Sequence, residues 1–309
     1  MSCIDFAPQP RDARFRVKIT QEFVAAGLRR ARYVTNERVE TALYLALALE
    51  KPLLIEGPAG AGKTEVAKVL AEMLATELVR LQCYEGLDEA RALYEWNYQK
   101  QLLRLQADEQ EGLGWEQLTQ HIFSRDYLLE RPLLKAISAA RKVVLLIDEI
   151  DKSDEEFEAF LLELLSDFQI SIPELGTVRA QERPAVVLTS NRARELSEAL
   201  RRRCLHLFID FPGIEQERRI LELKIPDLDA AMAGAAARFV NSLRKLELTK
   251  QPSIAETLDW VRALVQLGVK EIDQAAVRAT LGLLLKHEGD RALVESKAAA
   301  IIPRARQAH

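Results

Sequence analysis

Gly57-Pro58-Ala59-Gly60-Ala61-Gly62-Lys63-Thr64 decides the fold of this chain. These residues satisfy the pattern G-x-x-x-x-G-K-[ST] at every required position. Glycines at 57, 60 and 62 let the backbone curl until successive N–H groups face one anion-sized hollow. Lys63 supplies a point charge for the outer phosphates of a nucleoside triphosphate, and the Thr64 hydroxyl supplies an oxygen ligand for magnesium. The flanks agree with that reading. Residues 52–56 form a short apolar run suited to a buried parallel strand, and residues 65–74 place Val66, Val69, Leu70, Met73 and Leu74 at helical spacing.

Further along, Val143-Val144-Leu145-Leu146-Ile147 runs into Asp148-Glu149. A buried strand that ends in two carboxylates is what phosphate chemistry needs beside such a loop. Asp148 would hold magnesium through water, and Glu149 would polarise the water that attacks the terminal phosphate. Asp151 heads an acidic stretch in which Ser153 and Glu156 have capping-box spacing, so it reads as structural. A third apolar strand, residues 185–190, ends at Asn191, whose amide could hold the attacking water or could simply form the turn. Ten residues on, Arg201-Arg202-Arg203 precede another apolar run. Three guanidinium groups in a row are a solvated face unless the protein assembles so that one reaches a neighbour's phosphate.

The order of these elements resembles an AAA+ ATPase, and more narrowly the MoxR group. Arg32-Tyr33-Val34-Thr35-Asn36-Glu37 and Lys51-Pro52-Leu53-Leu54-Ile55-Glu56-Gly57-Pro58 resemble the start of that group. Leu81-Gln82-Cys83-Tyr84-Glu85-Gly86-Leu87-Asp88, Tyr94-Glu95-Trp96-Asn97-Tyr98, the stretch 168–176 and Glu256-Thr257-Leu258-Asp259-Trp260 resemble its CoxD branch, of the carbon monoxide dehydrogenase maturation type. The resemblance spans residues from about 20 to 265.

It implies an α/β fold: a P-loop parallel-sheet domain with helices on both faces, followed by a small all-helical lid. It makes Gly57 to Thr64 the Walker A loop, with Lys63 and Thr64 its working residues, Asp148 and Glu149 the Walker B pair, and Asn191 sensor 1. Arg203 matches the arginine finger, with Arg202 as fallback. It further implies ATP as substrate, Mg2+ as cofactor, a homo-oligomeric ring of the hexameric kind, a partner of the von Willebrand A type, and a protein client such as a molybdenum-containing hydroxylase. One piece departs from the pattern. Where many relatives carry a sensor-2 arginine at the start of a lid helix, this chain has Ser253-Ile254-Ala255-Glu256, leaving Arg262 as a possible substitute.

The domain boundary is expected at Phe211-Pro212-Gly213, giving an α/β domain over 1–212 and a helical lid over 213–309 with helices over 230–246, 254–267 and 272–286. A hairpin is expected over 168–180 around Pro173-Glu174-Leu175-Gly176. The run Leu87 to Gln106, without glycine or proline, reads as one long helix carrying Tyr94, Trp96 and Tyr98, within an insert about 83–114 that resembles the helix-2 insert of the group; the aromatics read as core.

Composition bounds the rest. The 309 residues suffice for two cores, and no apolar run is long enough to span a membrane, so the chain is expected to be cytoplasmic. Cys3, Cys83 and Cys204 lack any C-x-x-C spacing, and His121, His206, His287 and His309 lack zinc-protease spacing. A net charge of −4 gives no whole-chain reason to expect nucleic acid; the basic groups Arg11, Arg14, Arg16, Lys18 and Arg29, Arg30, Arg32 read as solvated faces. A nucleic-acid motor or loader, and an ATP-gated scaffold that barely hydrolyses, are the alternatives.

Overall fold

The apolar runs that lead into the two motifs lie side by side in one sheet. The computed structural model describes residues 19–108, 122–172 and 175–301. Its strands are β1 (Leu53–Glu56), β2 (Leu78–Gln82), β3 (Tyr94–Trp96), β4 (Leu128–Glu130), β5 (Val144–Asp148), β6 (Gln169–Ile172), β7 (Gly176–Arg179), β8 (Ala185–Ser190) and β9 (Leu205–Phe208). Five of them form the main sheet in the order β2-β5-β8-β1-β9, and β2 with β5, β5 with β8 and β8 with β1 pair in parallel. Non-consecutive neighbours of this kind need helical crossovers, which is why both faces are covered and why β1 and β5 are buried at every residue instead of every second one.

Alternate residues of the strands face different helices. Leu53 and Val187 line a small cavity with Leu43 and Leu47 of helix Glu37–Ala48 and Leu70 of helix Lys63–Met73. Leu54, Leu145, Ile147 and Leu188 belong to a second cluster with Leu133 and Ile137 of helix Pro132–Ile137 and Phe157 and Leu161 of helix Glu155–Asp167. The expected α/β sheet architecture with flanking helices is therefore present. At the carboxyl end of β1 the buried Glu56 carboxylate accepts hydrogen bonds from His206 Nε2 at 2.7 Å and from Arg192 Nη2 at 3.2 Å, tying β1 to β9 and to the turn after β8.

Two local expectations are corrected. The run Leu87 to Gln106 is not one helix: it is helix Glu89–Leu93, strand β3 and helix Tyr98–Asp108. Tyr94 and Trp96 pair antiparallel with Glu130 and Leu128 of β4, and Asn97 caps the second helix by accepting from the Lys100 N–H at 3.0 Å. Aromatic residues favour a pleated surface once a partner strand exists, and that partner lies some thirty residues downstream. Trp96 is buried, packing edge-on to Phe123, and Tyr94 is half-buried, whereas Tyr98 is 63% exposed, so the aromatics are only partly core. At the second place, Asp154 and not Ser153 caps helix Glu155–Asp167, accepting from the Phe157 N–H at 2.8 Å; the Ser153 hydroxyl closes the preceding 3-10 turn by donating to the Ile150 carbonyl. The 168–180 hairpin is present as β6 paired with β7, its turn residues Pro173 and Glu174 lying outside the described residues. Arg11, Arg14, Arg16, Lys18, residues 109–114 of the insert, Cys3, His121 and His309 also lie outside them.

The chain divides into two compact units. One comprises residues up to Gly27, Glu37–Glu56 and Thr64–Leu207; the other comprises Leu28–Asn36, Gly57–Lys63 and the chain from Phe208 onward. The second unit contains helices Ile214–Lys224, Ala230–Leu243, Ile254–Gln266, Gln274–Leu284 and Glu288–Ile301. Its core is built on Trp260, fully buried, whose ring lies 5.3 Å from Phe239 and whose indole N–H donates to Thr280 Oγ1 at 2.8 Å. Beside it Arg244 makes a two-pronged pair with Glu217 at 2.7 and 2.9 Å, donates to the Pro252 carbonyl at 2.9 Å and stacks over Phe211 at 4.4 Å. Burial pushes the Glu217 carboxyl up and Arg244 pulls it back only in part.

Two stability measurements follow from these charges. Arg244→Met strands Glu217 in the core and should cost about 3–5 kcal/mol in chemical denaturation, most of which Arg244→Met with Glu217→Leu should recover. For Glu56, burial opposes the charged form, but His206 and Arg192 outweigh it and hold the carboxyl below its ordinary value. Its contribution is therefore present above the unfolded pKa of about 4.3 and is lost as pH falls through the lower folded value. Glu56→Gln should melt below wild type at neutral pH, with the gap closing from about pH 5 downward.

Candidate active site

Gly57 and Gly60 are glycines for steric reasons that the second unit makes plain. Their φ angles are 154° and 81°. A Cβ on Gly57 would stand 1.8 Å from the Ile209 carbonyl oxygen, and one on Gly60 would stand 2.3 Å from Ser253 Cβ. Only bare backbone fits, and a loop of bare backbone is what a phosphate group can approach. Lys63 is 6% exposed and its ammonium donates to the Gly57 and Pro58 carbonyls, each at 2.8 Å. The Gly60 carbonyl accepts the Ile254 N–H at 3.2 Å, so helix Ile254–Gln266 starts against the loop. Its first turn is closed by a capping box: the Ser253 hydroxyl accepts from the Glu256 N–H at 3.1 Å, and Glu256 accepts from the Ser253 N–H at 2.8 Å. No arginine stands there, and Arg262 is paired with Asp259 at 3.1 Å on the exposed face.

The carboxylates of the first unit converge at the end of β5. Asp148 is 2% exposed. It accepts from Thr64 Oγ1 at 3.0 Å, from Thr189 Oγ1 at 2.5 Å and from Arg80 Nη2 at 2.6 Å. The parallel register explains the meeting, because Gln82 of β2 stands opposite Asp148 and Arg80 opposite Leu146, so the long Arg80 side chain reaches forward along the strand. Thr64 opens helix Lys63–Met73, one residue after Lys63.

Glu149 leaves the strand in the left-handed conformation, φ 57° and ψ 49°. That costs a non-glycine residue about 1–2 kcal/mol, offset here by its N–H donating to Thr189 Oγ1 at 2.9 Å. Its side chain is then gripped from three sides: Gln82 Nε2 at 2.9 Å, Asn191 Nδ2 at 3.3 Å and the Lys152 ammonium at 2.6 Å. The bond to Glu149 in turn holds the Lys152 ammonium above the usual lysine range. Asp151, buried, accepts the Asn191 and Ala193 N–H groups at 3.1 and 2.8 Å, which fixes the turn that presents Asn191.

The structure thus brings together Thr64, Asp148, Glu149 and Asn191. It adds Arg80, Gln82, Thr189 and Lys152, which carry no motif of their own; the register of β2 beside β5 is what finds the first two. Arg202 and Arg203 lie apart from this cluster on the exposed helix Glu198–Arg203: Arg202 pairs with Glu198 at 2.5 Å, and Arg203 donates to Ser166 Oγ at 2.8 Å. Cys83 is pushed up to about 12 by burial and by the neighbouring Asp148, Asp151 and Glu149, and Cys204 to about 12 by burial, so both are poor nucleophiles.

The donor set suits magnesium, a hard cation that takes one or two protein oxygens and keeps the remainder for water and phosphate. Thr64 would provide such an oxygen, and Asp148 would hold the ion through one of its waters. Bare backbone at Gly57 and Gly60 with a buried ammonium suits a polyphosphate.

Comparison with known proteins agrees at the level of the domain. The chain is similar to an uncharacterized protein of Staphylococcus epidermidis, 23% identical over 259 residues that cover 80% of this chain and 90% of the relative. It is also similar to an uncharacterized protein of Staphylococcus aureus, 25% identical over 226 residues covering 71% and 77%. Among solved structures it is similar to the RuvB Holliday junction branch migration motor of Thermotoga maritima, with a TM-score of 0.49, 19% identity, and coverage of 86% of this chain and 76% of that one. Residues 52–204 match the family model described as AAA domain (dynein-related subfamily).

Proposed function

We propose that this protein hydrolyses ATP with Glu149 as general base, in a homo-oligomeric ring of the hexameric kind, and uses the turnover to remodel a protein client. The observation that carries the reading is the three-sided grip on Glu149 beside the Thr64–Asp148 pair. A carboxylate meant only for solvent has no use for two side-chain amides, one from each neighbouring strand end. A base that must aim at one water does, because proton transfer needs the acceptor within hydrogen-bond reach in a fixed direction.

The residues divide the work as follows. The Walker A backbone and the Lys63 ammonium hold the phosphates, the Thr64 hydroxyl and Asp148 carboxylate would hold Mg2+, and the bound cation would neutralise charge on the phosphate oxygens. Glu149 takes the proton of the attacking water. Asn191 and Gln82 orient that carboxylate, and Asp151 holds Asn191 in place. Arg203, exposed and held among the described residues by Ser166 and the Ala199 carbonyl, would reach a neighbouring subunit's phosphate, with Arg202 the second choice. The lid over 213–309 begins one helix against Gly60 and would move with the loop.

The finer assignment is a maturation factor for a molybdenum-containing carbon monoxide dehydrogenase-type hydroxylase, working with a von Willebrand A partner. It rests on the MoxR and CoxD-like stretches at 81–88, 94–98, 168–176 and 256–260.

Three variants test the site. Lys63→Ala should abolish nucleotide binding in calorimetry, and retained affinity would remove the assignment. Glu149→Gln should bind ATP as wild type does while turnover falls by roughly 100-fold or more. Arg203→Ala mixed into wild type should lower activity more than its share of subunits, whereas proportional dilution would place Arg203 outside the site.

A further inference from the structure

Among the described residues Arg80 is the cation paired with Asp148, and the reaction as described makes no use of it. Its guanidinium is half exposed while the carboxylate it holds is almost wholly buried. The same Nη2 that lies 2.6 Å from Asp148 Oδ2 lies 2.5 Å from Gln82 Oε1, and Gln82 Nε2 lies 2.9 Å from Glu149 Oε2. A single chain of hydrogen bonds therefore runs from Asp148 through Arg80 and Gln82 to Glu149. The two ends of that chain are the residues that would hold the metal and activate the water.

We propose that Arg80 is a built-in countercharge for the magnesium site, which the divalent cation must displace from Asp148 when it arrives with nucleotide. The inference rests on the reading of this site as one for a magnesium-bound nucleoside triphosphate. The physical case is one of competition. A buried carboxylate needs a positive partner or several donors, and Asp148 has Thr64, Thr189 and Arg80. The two hydroxyls are compatible with a metal. A guanidinium is not: it occupies one carboxylate oxygen and its charge repels a dication at close range. Its half exposure gives it water to move into. On leaving Asp148 it also lets go of Gln82 Oε1, so the amide that grips Glu149 is freed to reorient at the moment when the metal is seated. Arg80 is in this sense a positioning residue that acts through Gln82.

The test is a Mg2+ titration of nucleotide binding, using a fluorescent ATP analogue with wild type, Arg80→Met and Arg80→Lys, and each protein also titrated with the analogue in EDTA. Methionine keeps the aliphatic stem without the charge, and lysine keeps the charge. Affinities in EDTA should be equal, with a Mg2+ midpoint lowered by roughly tenfold in Arg80→Met, as loss of a charge-assisted hydrogen bond would give, and a midpoint near wild type in Arg80→Lys. Equal midpoints in all three, or a raised midpoint in Arg80→Met, would overturn the proposal while leaving the site intact. Absence of binding by wild type with and without Mg2+ would overturn the reading of the site, and the proposal with it. A variant that loses affinity in EDTA as well would show Arg80 to be structural, which also contradicts the proposal.

Discussion

A carboxylate that is almost completely buried must be satisfied by its neighbours, and Asp148 imposes that demand on the first unit. It stands at the end of a strand with no exposed residue, where its oxygens are cut off from water and need donors that converge on them. Thr189 comes from the strand on one side, Arg80 from the strand on the other, and Thr64 from the helix that follows the glycine-rich loop. The order β2-β5-β8-β1 is the arrangement that lets all three arrive. The apolar interior of β1 and β5 provides the burial, and the burial makes each of those hydrogen bonds matter.

Glu149 follows from the same geometry. The Thr189 hydroxyl that donates to Asp148 also accepts the Glu149 N–H, stabilising the left-handed turn by which the chain leaves the strand. That turn carries the second carboxylate to where Gln82 and Asn191 can hold it. Asp151, one turn on, spends its own buried carboxylate on the backbone of Asn191 and Ala193. Two acids two residues apart are thus told apart by what their side chains bond: Asp151 takes backbone N–H groups, and Glu149 takes the side-chain donors of Gln82, Asn191 and Lys152.

Much of this was legible in the sequence because it is local. The phosphate loop needs only glycines and a lysine at fixed spacing, and the acidic strand announces itself by five apolar residues before Asp148. What was not legible depends on pairing. Arg80 and Gln82 look like the solvent side of an alternating strand until β5 is laid beside β2 in register. The break of the 87–106 run at Tyr94 to Trp96 needs β4, whose residues 128–130 carry no signal pointing back to it. The capping-box spacing of Ser153 to Glu156 pointed one residue too early: Asp154 caps helix Glu155–Asp167, because Ser153 is engaged by the 3-10 turn. In the second unit, by contrast, a Ser-x-x-Glu spacing does close as a capping box at Ser253, at the place where the family resemblance implies an arginine.

ATP turnover by the carboxylates at the end of β5, in an assembled ring, is the proposal on which the other assignments rest. The most direct measurement is the steady-state rate of ATP hydrolysis per subunit as a function of wild-type protein concentration. That rate should climb with concentration and reach a plateau as subunits assemble. ATP bound stoichiometrically with no turnover at any concentration, or a rate per subunit independent of concentration down to the monomer, would contradict it.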